Sequence, residues 1–205
     1  MKLYDSRRAP NPRRVRWVMA EKGVTDIEVI DIDIFKGGHK EPEFRDKFGL
    51  SNIPALELDD GTGITESVAI ARYLEHLYPE PNLFGQGAKE TAVIEMWTRR
   101  VEMNVATPAM SAVRFGHPAL AAIQEPDLAF AQRSTAQAHG FLRVLDRQLA
   151  DSQFIAADRI TIADILAYTG MDFARMVKFE PDPALTHVVR WRDAMRERPA
   201  AKAGV

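Results

Sequence analysis

The sequence of residues 53–67 is IPALELDDGTGITES, and this stretch decides the fold. An apolar run begins at Ile53, and the Asp-Asp-Gly-Thr turn signal at 59–62 separates it from a second apolar segment around Ile64. Two strands joined by so short a turn are antiparallel. From Thr65 onward the apolar residues follow the spacing of a helix. The stretch therefore predicts a β-hairpin that leads directly into a helix.

The residues before this hairpin predict a β-α-β unit. A short apolar strand opens the chain, and Asn11-Pro12 then suits the start of a helix, with asparagine as the N-cap and proline as the first helical residue. Gly23 follows the end of that helix, and residues 27–34 alternate between apolar and acidic side chains as a strand does. With a short polar helix at 43–48, the predicted order of elements is β-α-β-(α)-β-β-α.

A change in composition marks the end of this first domain. Residues 79–88 concentrate proline, glycine and asparagine, which disfavours any regular element. No strand pattern follows them, but four windows of helical spacing do. These windows are Glu90–Val113, Leu128–Ala150, Thr161–Val177 and Leu185–Glu197. The sequence thus predicts an α/β domain at 1–78, a linker at 79–88 and an all-helical domain at 89–205.

The overall composition excludes several classes of protein. The chain has 205 residues, of which 46% are hydrophobic and 27% charged, as in an ordinary globular protein. There is no cysteine, so any sulfur chemistry must use a thiol from a bound molecule. A net charge of −2 gives no reason to expect a nucleic-acid partner. No run of 18 apolar residues and no N-terminal apolar region occurs, so we expect a cytoplasmic protein without membrane contact.

The one local charge bias lies near the start of the chain. Five arginines with no acidic residue among them occur within ten positions: Arg7, Arg8, Arg13, Arg14 and Arg16. Such a group can attract an anion, but a solvated helix face also explains it, and we expect the solvated face.

Taken together, these features resemble the glutathione transferase family over essentially the whole chain. The motifs that carry the resemblance are the Ile-Pro before the third strand, Thr-Glu-Ser at 65–67, and the capping pattern Thr161-x-x-Asp164 in the helical domain. The resemblance implies a thioredoxin-like N-terminal domain, βαβ-ββα with a mixed four-stranded sheet, and an all-α C-terminal domain. Ala9-Pro10-Asn11 and the Lys-Gly-Gly-His loop at 36–39 are most similar to the bacterial and fungal Nu-like branch, which has disulfide-bond reductase activity.

The resemblance also implies an activity and its partners. A glutathione transferase uses glutathione as a cosubstrate, needs no metal, and directs the glutathione thiol at a small electrophile or a disulfide. Family members are usually homodimers, and we expect the same here. The alternative is a non-catalytic protein that binds glutathione or acts in regulation. Two departures from the family pattern motivate it, namely Ala9 in place of the branch's threonine and the altered loop at 48–52.

The resemblance assigns glutathione binding to five positions. A cis bond before Pro54 would offer the backbone of Ile53 to the extended tripeptide, as an added strand. Ser67 at a helix N-terminus would bind the γ-glutamyl carboxylate, and Glu66 the adjacent ammonium. His39 would bind the glycine carboxylate. Each has a simpler alternative: an ordinary edge-strand proline, plain helix capping by Thr65 or Ser67, and a lone surface histidine.

The thiolate needs a hydrogen-bond donor, and the family places it near the first helix. Asn11 matches the amide donor of the Nu-like branch, Ser6 is the second candidate and Tyr4 the third. A hydrogen bond to a charged acceptor contributes about 1.5–3 kcal/mol, and one pKa unit corresponds to about 1.4 kcal/mol. One donor at a helix N-terminus therefore lowers the thiol pKa by about one or two units. Contacts to the second substrate are expected from Met103, Arg114, Phe115 and Tyr168, although methionines and aromatics at helical spacing also form core.

Overall fold

The computed structural model describes residues 1–203 and divides them into two compact units. The first unit holds Met1–Pro81 and contains both strands and helices. The second holds Asn82–Ala201, and its regular elements are all helical. This confirms the predicted fold class, a thioredoxin-like α/β unit followed by an all-α unit.

The first unit is built on a four-stranded mixed sheet. Its strands are β1 (Lys2–Asp5), β2 (Glu28–Asp31), β3 (Ala55–Glu57) and β4 (Gly63–Thr65), and its helices are α1 (Pro10–Glu21), α2 (Pro42–Phe48) and α3 (Ser67–Leu77). The strand order is β2-β1-β3-β4. β1 is parallel to β2, whereas β3 is antiparallel to both β1 and β4. The predicted βαβ unit and hairpin are therefore both present.

The core of this unit lies between the sheet and helices α1 and α3. Leu3 in β1 faces Leu56 in β3, and both side chains are fully buried. Val15 and Val18 bring one face of α1 onto this layer, and Ile70 does the same for α3. β1 and β4 both run antiparallel to β3, so their carboxyl ends lie at the same edge of the sheet, and α1 and α3 begin just after these ends. That end of the sheet carries the candidate site.

Two boundaries in this unit differ from the prediction. Strand β2 is shorter than the predicted 27–34 because its neighbour β1 ends at Asp5, which pairs with Asp31. Helix α1 begins at Pro10 with Ala9 as its N-cap, so the prediction of Asn11 as the N-cap is wrong. Proline has a fixed φ suited to the first helical position, and Pro10 takes that position before Asn11 is reached.

The second unit consists of five helices and short helical turns. The helices are α4 (Gly87–Val101), α5 (Thr107–Gly116), α6 (Leu128–Gln148), α7 (Ile162–Ala174) and α8 (Thr186–Glu197). The predicted single helix at 90–113 is two helices, because a π-helical turn at Glu102–Ala106 interrupts it. Pro108 lacks a backbone N–H and its ring collides with the carbonyl four residues earlier, which a wider turn relieves. Within residues 1–203, no helix combines the length and apolar character needed to cross a membrane.

Helix α7 is the buried centre of this unit, and a capping box begins it. Asp164 accepts hydrogen bonds from the N–H and the hydroxyl of Thr161, at 2.9 and 2.8 Å. Its other oxygen accepts from the N–H of Ile155 and from Trp191 Nε1, both at 2.9 Å. The predicted capping box is confirmed, and its carboxylate also ties α7 to α8 and to the segment before α7.

Candidate functional site

A cis peptide bond joins Ile53 to Pro54 immediately before β3. Pro54 is buried, and Ile53 packs on a small apolar cluster with Phe44 and Phe48 of α2. Within residues 1–203, the N–H and C=O of Ile53 have no hydrogen-bond partner. Backbone polar groups in this position are free to pair with an added extended segment.

Tyr4 lies in the same apolar cluster, where its ring stands edge-on to Phe44 and Phe48. Its hydroxyl donates to Glu57 Oε2 at 2.7 Å. Burial raises the pKa of Tyr4 above its ordinary value, and the hydrogen bond to Glu57 acts in the same direction. Tyr4 is therefore a poor donor for a bound thiolate, as its low rank among the three candidates anticipates.

The start of helix α3 is open, with no side chain capping it. Glu66 occupies the N-cap position with φ 67° and ψ 118°, a conformation that non-glycine residues rarely adopt. Its side chain is exposed and makes no hydrogen bond to the described residues, while Ser67 is buried. The alternative of plain capping by Thr65 or Ser67 is therefore wrong. The first-turn N–H groups of α3 keep their capacity to bind an anion.

Arg14, one of the five arginines near the start of the chain, contacts the start of α3. Only 3% of it is exposed, and its Nη1 donates to Ser67 Oγ at 3.3 Å. The expectation of a solvated arginine face is therefore wrong for Arg14. The signal was available, because Arg14 and the buried Val18 are four residues apart and share one helix face.

The other two candidates for the thiolate donor, Ser6 and Asn11, flank the turn between β1 and α1. Ser6 is buried just past β1, and its hydroxyl makes no hydrogen bond within residues 1–203. Asn11 lies in the first turn of α1, and its Oδ1 is buried without a partner. Since Asn11 does not cap the helix, its amide is not engaged there. Asn11 and Arg14 are three residues apart on α1 and share a face, so Asn11 is on the side of α1 that reaches Ser67.

His39 lies in a short 3₁₀ turn, Gly38–Lys40, just before α2. Its Nδ1 is buried without a partner. Burial lowers the pKa of His39, and the positive charge of Lys40 lowers it further. No described contact joins His39 to Ile53 or to Ser67. In the part of the chain that the structure describes, no group of histidine, aspartate and glutamate side chains could hold a metal ion.

The four candidates for the second substrate have different surroundings in the second unit. Met103 is 53% exposed in the π-helical turn, whereas Tyr168 is buried in α7. The Nε of Arg114 donates to Gln124 Oε1 at 2.8 Å, and Phe115 packs edge-on against Phe130. Arg114 and Phe115 adjoin in α5, but no described contact joins either of them to Met103 or Tyr168. Their role stays a prediction.

Comparison with known proteins bears on the whole chain. Residues 9–77 match the family model for the glutathione S-transferase N-terminal domain, and residues 105–199 match the one for the C-terminal domain. The chain is 34% identical to glutathione S-transferase 2 of Saccharomyces cerevisiae, over 98% of this chain and 88% of that protein.

Solved structures give the same result. Gtt2 from Saccharomyces cerevisiae is similar with a TM-score of 0.93 and 31% identity, covering 100% of both chains. A glutathione S-transferase domain-containing protein from Marinobacter aquaeolei has a TM-score of 0.89 and 36% identity, covering 98% of this chain and 99% of that one. The expected closeness to the Nu-like branch stays a prediction. The chain belongs to the glutathione S-transferase family.

Proposed function

We propose that this protein is a glutathione transferase that binds glutathione on its first unit and activates the thiol for attack on an electrophile or a disulfide. The observation that carries the proposal is the open start of α3, where Glu66 has an unfavourable backbone conformation and no side chain satisfies the first N–H groups. Backbone strain and unsatisfied N–H donors at the same residue favour the binding of a ligand whose interactions offset both costs.

The γ-glutamyl end of glutathione fits this helix start. Its carboxylate would accept from the first-turn N–H groups and from the Ser67 hydroxyl, while the Glu66 carboxylate would hold the neighbouring ammonium. Arg14 supports this arrangement, because its guanidinium donates to Ser67 Oγ and so leaves the Ser67 proton free to point at the ligand. The buried positive charge of Arg14 also favours an anion beside Ser67.

The rest of the tripeptide follows from the other free groups. The cysteinyl residue would pair with the backbone of Ile53 beside the cis Pro54, and the glycine carboxylate would lie within reach of His39. The sulfur would then lie near the first turn of α1. Asn11 or Ser6 would then donate to the thiolate and lower the thiol pKa by about one or two units. Tyr4 is the least favoured donor, because its hydroxyl already donates to Glu57.

In the reaction, the thiol proton leaves to solvent and the thiolate sulfur forms the new bond. With an electrophilic carbon, the leaving group departs with the bonding electron pair. With a disulfide, the distal sulfur leaves as a thiolate and a mixed disulfide remains.

We extend the proposal to a cytoplasmic homodimer with domains at 1–78 and 89–205 and a linker at 79–88. Contacts from Met103, Arg114, Phe115 and Tyr168 to the second substrate belong to the same proposal.

The second candidate function is a glutathione-binding or regulatory protein without catalysis. Ala9 motivates it, since the residue at the N-cap of α1 has no hydroxyl to offer a thiolate. Turnover of several electrophiles and disulfides in the presence of glutathione would exclude this candidate.

The test is calorimetric titration of the purified protein with reduced glutathione and with glutathione disulfide. We expect Glu66→Gln to weaken binding by about 10- to 100-fold, the effect of removing one charge-assisted hydrogen bond. Glu43→Gln removes the same charge from an exposed position on α2 and should leave the affinity unchanged. Tighter binding of the disulfide would favour reductase chemistry. Binding of neither compound would overturn the proposal.

A further inference from the structure

A tight turn carries two arginines at the entrance to α1. The N–H of Ala9 donates to the carbonyl of Ser6 at 2.9 Å, which closes a β-turn with Arg7 and Arg8 as its two central residues. Both are exposed. In a β-turn the ends lie less than 7 Å apart and the central side chains stand at the tip. Two positive charges are therefore displayed side by side.

The turn is fixed to the body of the unit by its neighbours. Arg16 forms a short ion pair with the buried Asp5 and donates from Nη2 to the carbonyl of Arg7 at 2.9 Å. The N–H of Arg7 in turn donates to Asp31 Oδ1 at 3.4 Å. A buried ion pair that also donates to a carbonyl of the turn restricts the turn to one geometry. Arg7 and Arg8 thus extend from a defined support.

Four of the five arginines near the start of the chain separate into two groups. Arg14 and Arg16 turn inward to Ser67 and Asp5. In contrast, the guanidinium groups of Arg7 and Arg8 form no ion pair or hydrogen bond with any residue in 1–203. Their charges are left for a partner outside the chain.

The turn lies between the two favoured candidates for the thiolate donor. Ser6 begins the turn and Asn11 follows it by two residues, and these are the two candidates for holding the glutathione thiolate. We propose that Arg7 and Arg8 select a second substrate that carries a carboxylate or sulfonate in addition to its electrophilic atom. This inference rests on the proposed function of the same site and names the substrate class.

The reacting bonds are those of the transferase step. With an aryl chloride as the second substrate, the thiolate forms a carbon–sulfur bond and chloride departs from the same carbon with its electron pair. The thiol proton goes to solvent. The substrate's negative group takes no part in the bond changes. It contributes only attraction to the two guanidinium groups.

The test compares 4-chloro-3-nitrobenzoate with 4-chloro-3-nitrobenzamide, which differ in charge and hardly in shape. The measured quantity is the ratio of kcat/KM for the anionic and the neutral compound. Any effect of the arginines on glutathione or its thiol cancels in this ratio. We expect Arg7→Gln combined with Arg8→Gln to lower the ratio about tenfold. In water, one guanidinium charge about 6 Å from the substrate's carboxylate contributes about threefold to the ratio, and the double variant removes two such charges. Lys2→Gln with Arg45→Gln removes two exposed charges elsewhere and should leave the ratio unchanged.

A second measurement needs no variant. Raising the salt concentration from about 0.02 to 0.5 M should lower the ratio in the unaltered protein, since exposed charges are screened. A ratio that neither the arginine variants nor salt changes would overturn the inference while turnover of the amide still upheld the proposed function. An equal fall in the control variant would also overturn it, because net charge and not position would then be responsible. Turnover of neither compound would overturn the inference, whereas glutathione binding by the same preparation would still support the proposed site.

Discussion

Helices α3 and α7 begin in opposite ways. At α7, Asp164 is fully buried and accepts four hydrogen bonds, two of them from Thr161. At α3, no side chain caps the helix, and Glu66 is held at φ 67° with an exposed carboxylate. One start is closed by its own side chains and the other is left open.

The difference separates a structural use of polar groups from a functional one. A capping box satisfies N–H groups at the helix start that have no acceptor within the helix, so Asp164 and Thr161 stabilise the fold directly. An open start with a residue at positive φ costs of order 1–3 kcal/mol. On the proposed function, the ligand's carboxylate supplies the missing cap. The comparison therefore predicts that changes at α7 alter stability, whereas changes at α3 alter affinity.

Asp164→Ala tests the closed start and has the largest expected effect. It leaves buried donors of Thr161, Ile155 and Trp191 without an acceptor, and each orphaned donor is costly. We expect the free energy of unfolding to fall by about 3–5 kcal/mol. In a chain of this size that lowers Tm by roughly 10 °C. Denaturant and thermal unfolding followed by circular dichroism measure it.

The matched control for this change is Asp158→Ala. Asp158 is an almost fully exposed carboxylate six residues earlier in the same unit, with one long ion-pair contact to Arg159 at 3.7 Å. Exposed pairs of this kind contribute at most about 1 kcal/mol. If the two variants lost the same free energy of unfolding, the hydrogen bonds of Asp164 at the start of α7 would not stabilise the fold more than an exposed carboxylate does.

The fold was readable from sequence wherever the signal is local. The hairpin turn at 59–62, the change of apolar spacing after it and the capping box of α7 each depend on residues close together in the chain. Gly23 beyond α1 has φ 65°, as its position past the helix end predicts. Such features hardly depend on what packs around them.

The rest depends on distant parts of the chain and was not readable. The length of β2 is set by where β1 ends, and the sequence of β2 does not contain that limit. The burial of Arg14 requires Ser67, 53 positions away, to lie against α1. At the candidate site, the motif points to Glu66 and Ser67, but it does not contain the positive φ of Glu66. That conformation and the missing side-chain cap occur at the same residue.

Glu66→Gly tests the open start and should move stability and affinity in opposite directions. Glycine adopts positive φ without a steric penalty, although it costs about 0.5–1 kcal/mol of chain entropy. We expect a net stabilisation of about 1 kcal/mol, because the relieved strain exceeds that cost. Glutathione affinity should nonetheless fall by at least tenfold, since the carboxylate is lost. Chemical unfolding and calorimetry on one preparation measure both.

Lys178→Gly is the control for backbone relief alone. Lys178 has φ 59° in the second unit and an exposed side chain. It should gain similar stability without any change in glutathione affinity. Destabilisation by Glu66→Gly would mean that the backbone conformation of Glu66 is not strained, and the contrast between the two helix starts would lose its energetic basis.

The smallest expected effect concerns His39. Its buried Nδ1 has no hydrogen-bond partner, and in this respect it is similar to the uncapped first-turn N–H groups of α3. Burial and Lys40 lower its pKa, so the free protein holds the ring neutral at neutral pH. A bound carboxylate favours the protonated ring and raises the pKa again, so binding takes up a proton. Affinity should therefore increase about threefold as the pH falls from about 7.5 to 5.5.

S-Methylglutathione is the ligand for this measurement, because it has no thiol that titrates. The pH dependence should disappear in His39→Asn and persist in His76→Asn, which changes an exposed histidine at the far end of α3. A slope that survives in His39→Asn would assign the proton to another group. The glycine carboxylate would then lie away from His39, and the open groups of this unit would serve only the γ-glutamyl end and the backbone of the tripeptide.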